Sequence, residues 1–322
     1  MSMKKNVVIL NRLAQDLVER LANNFNVTQL QPGADLAQTL TGPVHGVIGA
    51  GRQLGPAELA GASELEVIST ISVGYDNYDL DYLNERGVLL TNTPDVLTET
   101  TADLAFTLML TAARRIVELD NWLRAGNWRA GLGSDYFGCD VHGKTLGILG
   151  LGNIGAAIAR RGRFGFGMQV LYTANSRKPD LEQELGAQYR ELDALLAESD
   201  FLCVVVPLSE RTRKLIGQRE LGLMKSSAIL VNIARGQIID EAALVEALQQ
   251  GQIRAAGLDV FEREPLSESP LFALNNVVAV PHIGSATHET RRAMAELAVC
   301  NLELALQGDT PLHMVNPQVR ER

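Results

Sequence analysis

The chain has 322 residues, about twice the ~150 that serves as a soft prior for one domain, so two domains are expected, each able to bury a core. Apolar residues make up 46% and charged residues 21%, an ordinary globular mixture that argues against a disordered, collagen-like or disulfide-stapled chain. With 29 basic and 38 acidic residues the net charge is −9, which speaks against nucleic acid as the main partner; three scattered cysteines suggest neither disulfides nor a metal site and fit a reducing cytoplasm.

No stretch reaches the ~18–20 apolar residues that span a bilayer, so no membrane partner is expected. The start is basic and then apolar, as a signal peptide begins. The apolar run Val7–Leu10 stops at Asn11-Arg12, short of the roughly 7–15 residues an h-region needs. A first strand after a ragged terminus fits better. Gln15–Asn23 then reads as a helix, and Val47–Ile48 and Val67–Ile71 as strands ended by Gly, Asn or Ser. This alternation predicts a parallel sheet wrapped by helices.

From Thr98 a long apolar stretch, Leu104–Ala113, predicts a helix continuing to about Arg124. The segment Ala125–Gly143 is rich in Gly and aromatics. It reads either as a loop packed on its own domain or as an arm on a second subunit. A second sheet pattern follows. Strands are expected at Thr145–Leu149, Gln169–Tyr172, Phe201–Val206, Ile229–Ile233, Ala255–Leu258 and Val277–Val280, with helices between them. Thr290–Leu306 reads as one long helix that could return to the first domain.

Gly150-Leu151-Gly152-Asn153-Ile154-Gly155 has the G-x-G-x-x-G spacing, follows a strand and opens a helix, the context that makes the motif a dinucleotide loop. The first glycine permits the turn, the second lets backbone approach a pyrophosphate, and the third allows helix–strand packing. The helix N-terminus offers N–H groups to the phosphates. A ligand-free Gly-rich turn and a methyl-donor nucleotide site are the alternatives. The strand that follows ends in Ala174-Asn175-Ser176-Arg177-Lys178, with no carboxylate before Asp180. Asn175, Ser176, Arg177 and Lys178 together can bind a 2′-phosphate, which predicts NADPH over NADH. A solvated turn is the other reading.

Three polar residues lie where later strands end: Arg235, Glu264 and His282. Ligands of open α/β sheets bind beyond the carboxyl ends of strands, so these residues converge where the glycine loop sits. An anion clamp, a proton donor and a group that tunes the donor are what reduction of a 2-oxo acid needs. Singly, each has a plain alternative: a surface ion pair for Arg235, a solvated charge run for Glu262 and Glu264, a core histidine for His282.

With these segments in place, the sequence resembles the D-isomer-specific 2-hydroxyacid dehydrogenase family over nearly its whole length. The carrying segments are Ser72-Val73-Gly74-Tyr75-Asp76-Asn77, Gly150–Gly155, Asn232–Gly236, Asp259–Pro265 and Pro281–Thr287. Within the family it is most similar to glyoxylate/hydroxypyruvate reductases and 2-ketogluconate reductases. The resemblance implies two doubly wound, Rossmann-like α/β domains paired in a homodimer. A cofactor domain, 100–287, would be inserted into a substrate domain made of 1–99 and 288–322. It also implies that Arg235 binds the substrate, that His282 gives its proton to the developing alkoxide, and that Glu264 holds His282 in its protonated form. Asp259 would orient the nicotinamide carboxamide. Val73 and Gly74 would bind the substrate carboxylate through backbone N–H groups. Thr101, Pro207, Ile233 and Gly284 would line the cofactor beside Gly150, Gly152, Asn153, Ile154 and Gly155. Ala174 departs from the NAD-using members, which carry Asp there. The expected substrate is a small 2-oxo acid: glyoxylate, hydroxypyruvate or 2-ketogluconate. Phosphite oxidation and a non-catalytic, nucleotide-sensing corepressor-like role are the alternatives. Arg52 is a candidate for the substrate cleft. Ser285 and His288 would either touch a ligand or cap the helix from Thr290.

Overall fold

The computed structural model describes residues 4–321, so the ragged terminus expected before the first strand lies outside the described residues. The chain divides into two compact units, Met1–Leu97 with Thr287–Arg322, and Thr98–Ala286. Both divisions fall at the starts of helices, Thr98–Ala113 and His288–Gln307.

The first unit holds five parallel strands, β1 (Asn6–Ile9), β2 (Asn26–Gln29), β3 (Val44–Gly49), β4 (Val67–Thr70) and β5 (Leu89–Thr91). Their order, β2-β1-β3-β4-β5, is the doubly wound flavodoxin-like one. The inner strands are buried on both faces and so read as continuous apolar runs. β2 is a largely exposed edge and β5 has three residues; neither was expected from the sequence. The helix His288–Gln307 buries Met294, Ala298, Val299, Leu302 and Leu306. It lies close on β3 because Gly46 has no side chain: a Cβ there would stand 3.0 Å from Leu306 and 3.1 Å from Leu302. Ser69 Oγ donates to the Ala298 carbonyl at 2.7 Å, tying β4 to the same helix.

The second unit holds seven parallel strands: β6 (Thr145–Leu149), β7 (Gln169–Thr173), β8 (Gln188–Tyr189), β9 (Phe201–Val204), β10 (Ile229–Asn232), β11 (Ala255–Leu258) and β12 (Val277–Ala279). The order β12-β11-β10-β9-β6-β7-β8 reverses between β6 and β9, and that switch point is where such sheets bind ligands. The helix Thr98–Ala113 packs on β10 and β11, and its Leu108 would meet a Cβ on Gly257 at 2.9 Å.

The expected Thr98–Arg124 helix is in fact two, Thr98–Ala113 and Ile116–Arg124. Arg115 breaks it with a left-handed φ of 54°. Arg115 is held there by Glu118, which accepts from its Nε and Nη2 at 2.7 Å. The aromatic segment after it divides. The Trp122 and Tyr136 rings pack tilted, with centres 5.1 Å apart, and Cys139 N–H donates to the Ala113 carbonyl at 2.9 Å, whereas Trp128, Leu132 and Phe137 are exposed. Ile116, Val117 and Leu123 are exposed too.

At the C-terminal end, buried Asn316 accepts from Leu90 N–H at 2.7 Å and donates to the Val88 carbonyl and to Asn84. Asn316→Ala leaves buried backbone groups of the β5 region without partners. We expect it to lower unfolding stability by about 1–3 kcal/mol in urea titration.

Candidate active site

The glycine loop is built by steric need. Gly150 has φ 105°, and a Cβ there would lie 2.9 Å from the Val206 backbone nitrogen. A Cβ on Gly155 would lie 2.2 Å from the Gly150 carbonyl oxygen, so the helix Asn153–Arg160 could not start this close to β6 with any side chain there. At Gly152, exposed at the helix N-cap, nothing stands within 4 Å of a Cβ. Two glycines close the turn and the third leaves its backbone open to approach. That pattern fits a bound pyrophosphate. Asn153 and Ile154 occupy the first helical turn.

The turn after β7 carries Ala174, Asn175, Ser176, Arg177 and Lys178, with Asn175, Ser176 and Arg177 exposed. Arg177 is not simply solvated. Its Nε and Nη2 each donate to Glu182 at 2.6 Å, and its guanidinium lies 5.6 Å from the Tyr189 ring centre. Glu182 also accepts from Tyr172 OH, and Tyr172 accepts from Lys178 N–H at 2.8 Å. The Arg177 and Tyr172 hydrogen bonds pull the Glu182 carboxyl down to about 2.

Beyond β10, Asn232 builds the turn that presents Arg235. Its side chain donates to the Arg235 carbonyl and accepts from Ala234 N–H, both at 3.0 Å. Gly236 lets this turn run against the Phe261 backbone, where a Cβ would collide with the Phe261 carbonyl carbon. Ile233 is buried beside it, and Pro207 is exposed just after β9.

Beyond β11, Asp259 is 1% exposed and accepts from Ile283 N–H at 2.6 Å and Gly284 N–H at 2.9 Å. Its carbonyl accepts from His282 N–H at 2.9 Å. Burial pushes the Asp259 carboxyl above the usual aspartate range despite those N–H groups. Thr101 Oγ1 donates to the Gly284 carbonyl at 3.0 Å from the other side. His282 sits in the left-handed region, φ 52°, a conformation few non-glycine residues adopt.

His282 Nδ1–H donates to Glu264 Oε2 at 2.7 Å, and Glu264 Oε1 accepts from Phe261 N–H at 2.9 Å. Burial pushes the Glu264 carboxyl up. The bonds from His282 and Phe261, with the charges of His282 and Arg235, outweigh it and hold the carboxyl below the usual range. Ionised Glu264 thus keeps the proton on Nδ1, and Nε2 has no partner among the described residues. Glu262, the other carboxylate of the run, faces Lys214 at 3.4 Å instead.

In the first unit, Val73 and Gly74 follow β4. The Ser72 carbonyl accepts from Thr93 N–H at 2.9 Å and the Val73 carbonyl from Asn92 Nδ2 at 3.0 Å. A trans peptide points its N–H opposite to its C=O, so the N–H groups of Val73 and Gly74 both turn away from Asn92-Thr93. Neither makes a hydrogen bond among the described residues. Arg52 is exposed in the same unit, its carbonyl taken by Asn77. The long C-terminal helix is capped by Thr287, which accepts from Thr290 N–H, and not by Ser285 or His288.

Asn232 and Asn92 were not singled out from sequence, because asparagine in a turn carries no signal of what it holds. Cys203 is buried, its thiol pushed up to about 12, and the three cysteines are free. Among the described residues no group of three or more His, Cys, Asp or Glu side chains could hold a metal ion, and no helix is long and apolar enough to cross a membrane.

Two parallel α/β units, one carrying a dinucleotide-type glycine loop at its switch point with Arg235 and a His–Glu pair after later strands of the same sheet, define a nucleotide-dependent dehydrogenase architecture. Residues 106–284 match the family model for the D-isomer specific 2-hydroxyacid dehydrogenase NAD binding domain. A glyoxylate/hydroxypyruvate reductase B of Pectobacterium atrosepticum is 52% identical over 318 residues, covering 98% of this chain and 99% of that protein. A solved NADPH-dependent glyoxylate/hydroxypyruvate reductase of Sinorhizobium meliloti, in complex with NADP and malonate, is similar with TM-score 0.88 at 34% identity, covering 97% of each chain. A glyoxylate reductase from Paecilomyes thermophila is similar with TM-score 0.89 at 34% identity, covering 99% of this chain and 100% of its own. The chain belongs to the D-isomer specific 2-hydroxyacid dehydrogenase family.

Asp259→Asn replaces one acceptor oxygen with an NH₂ that faces a backbone N–H. We expect a loss of about 1–3 kcal/mol and faster amide exchange at Ile283 and Gly284, read by urea titration and hydrogen-exchange NMR.

Proposed function

We propose that the protein reduces a small 2-oxo acid to the D-2-hydroxy acid with NADPH, and that glyoxylate and hydroxypyruvate are its substrates. The observation that carries this is the 2.7 Å His282–Glu264 pair, which holds a proton-donating imidazole in a sheet with a glycine loop at its switch point. The names of the similar reductases support the substrates. 2-Ketogluconate, the third expected substrate, belongs in the same panel.

NADPH bound along the glycine loop supplies the hydride. Gly150, Gly152, Asn153, Ile154 and Gly155 hold its pyrophosphate. Thr101, Pro207, Ile233, Asp259 and Gly284 hold the rest. Asn175, Ser176, Arg177 and Lys178 take the 2′-phosphate. Two things support that preference: the turn has no carboxylate before Asp180, and the Sinorhizobium meliloti relative is NADPH-dependent. Glu182 takes the Nε–Nη2 edge of Arg177, which leaves the Nη1 edge for a phosphate.

Arg235 of the second unit is assigned to the substrate's carboxylate and keto oxygen, and the N–H groups of Val73 and Gly74 of the first unit are assigned to carboxylate binding. His282 passes the Nε2 proton to that oxygen as it gains charge, and ionised Glu264 stabilises the imidazolium beforehand. The units carry the roles implied for them: the first holds substrate, the second the cofactor. The exposed Ile116, Val117, Leu123, Trp128, Leu132 and Phe137 support a homodimer formed through the second unit.

His282→Ala is expected to lower kcat about 10²- to 10⁴-fold with folding kept. Glu264→Gln removes the ionised acceptor of the Nδ1–H and is expected to lower kcat about 10- to 100-fold, as loss of a charge-assisted hydrogen bond predicts; a kcat that stays at the wild-type value separates Glu264 from proton transfer.

Cofactor choice is read from kcat/KM for NADPH and NADH. Arg177→Ala should lower the NADPH value about 10- to 100-fold and leave the NADH value, as loss of a charge-assisted hydrogen bond predicts. A wild-type preference for NADH rejects the 2′-phosphate assignment.

A further inference from the structure

We propose that Asn92 is a positioning residue for substrate binding: by holding the Val73 carbonyl it aims the Gly74 N–H at the substrate's carboxylate. The proposal rests on reading Val73-Gly74 as the carboxylate-binding turn.

Three successive peptides at this turn have their carbonyls fixed. Ser72 O accepts from Thr93 N–H at 2.9 Å, Val73 O from Asn92 Nδ2 at 3.0 Å, and Gly74 O from Ser72 Oγ at 2.5 Å. Each bond fixes the opposite N–H of its own planar peptide, those of Val73, Gly74 and Tyr75. The first two carbonyls turn toward adjacent residues, Asn92 and Thr93, so the first two N–H groups turn the same way, as in a backbone nest that binds anions. Of the three bonds, the backbone supplies one and the turn's own Ser72 another. The middle one comes from Asn92, 19 residues away in sequence.

Asn92 is itself fixed from behind. Its backbone carbonyl accepts from Asn301 Nδ2 at 3.2 Å, and Asn301, on the C-terminal helix, is 0% exposed and accepts from Leu312 N–H at 2.9 Å. A fully buried amide on that helix thus supports the half-buried Asn92. Without the Asn92 amide, the 73–74 peptide loses its only fixed point and can rotate. A peptide flipped there would turn the Val73 carbonyl oxygen, a partial negative charge, toward a carboxylate.

The test is steady-state kinetics of Asn92→Ala and Asn92→Asp with glyoxylate as the varied substrate at saturating NADPH. The Asp variant keeps the shape and removes the donor, so it covers the case in which the Ala variant misfolds. KM for glyoxylate should rise at least tenfold, with kcat within threefold of wild type and KM for NADPH unchanged. A glyoxylate KM within twofold of wild type in a folded variant overturns the proposal. A parallel loss of kcat, NADPH affinity and melting temperature also overturns it, because that marks a structural residue. Wild-type enzyme is run beside them on uncharged methylglyoxal. If it does not prefer glyoxylate, the carboxylate-binding reading of the turn fails, and the Asn92 proposal with it. If it does prefer glyoxylate and the variants keep their KM, the Asn92 proposal alone fails.

Discussion

Asp259 is the point on which the geometry of the catalytic unit turns. One buried residue receives three N–H groups of the next strand's loop, two on its carboxylate and one on its carbonyl. Those bonds hold His282 in a left-handed backbone conformation that is uncommon outside glycine. Thr101 closes the same loop from the helix side, through Gly284. A Cβ on Gly284 would stand 3.1 Å from Asp259 Oδ2, so the glycine keeps the clamp tight. The imidazole is therefore aimed by backbone that two strand ends fix, and Glu264 has only to bind the ring.

The two carboxylates around His282 are pushed in opposite directions by the same two influences. Asp259 is nearly fully covered, and desolvation wins over its two N–H bonds, raising its carboxyl. Glu264 is also desolvated, but it faces the imidazole and the Arg235 charge, and those outweigh burial. The division suits the work. Asp259 is valuable as an acceptor of fixed N–H groups. In the proposed reaction Glu264 would act as a charge facing the His282 ring. Residues five apart on one segment thus acquire separate roles from what lies opposite each.

Much of this was legible in sequence, and what escaped did so for physical reasons. The strands of both inner sheets are apolar runs because parallel strands are buried on both faces, so β3, β4, β6, β9, β10 and β11 stood out. β2 did not: Asn26-Val27-Thr28-Gln29 is an exposed edge with polar side chains. The break at Arg115 carries no Gly or Pro; the positive φ there is stabilised by a Glu118 ion pair that no helical period reveals. The glycine loop, Arg235, Glu264 and His282 were readable because each has a chemistry rare at a strand end. Asn232 and Asn92 were not, since their work is to hold a neighbouring backbone, and the neighbour is known only once the chain has folded. Arg177 lay between these cases. Its charge was visible, but its engagement by Glu182 depends on a turn that brings residues five apart face to face.

That engagement bears on how an acidic protein attracts anions. A net charge of −9 would repel a dinucleotide and an oxo acid alike, and several guanidinium groups are already matched: Arg160 with Glu184, Arg190 with Glu198, Arg219 with Asp193 and Arg292 with Asp16. Local attraction has to come from groups that no carboxylate cancels. Backbone N–H groups meet that condition. They carry partial positive charge without a counter-ion, and cannot be neutralised by a mobile side chain once their carbonyls are committed. Among the described residues, the start of the Asn153–Arg160 helix and the Val73-Gly74 turn are places of this kind. In each, neighbours fix the backbone: glycine contacts in the first, Asn92, Ser72 and Thr93 in the second. In the proposed function, anion binding would thus depend on how the strand ends are tied as well as on local charges such as Arg235 and Arg177.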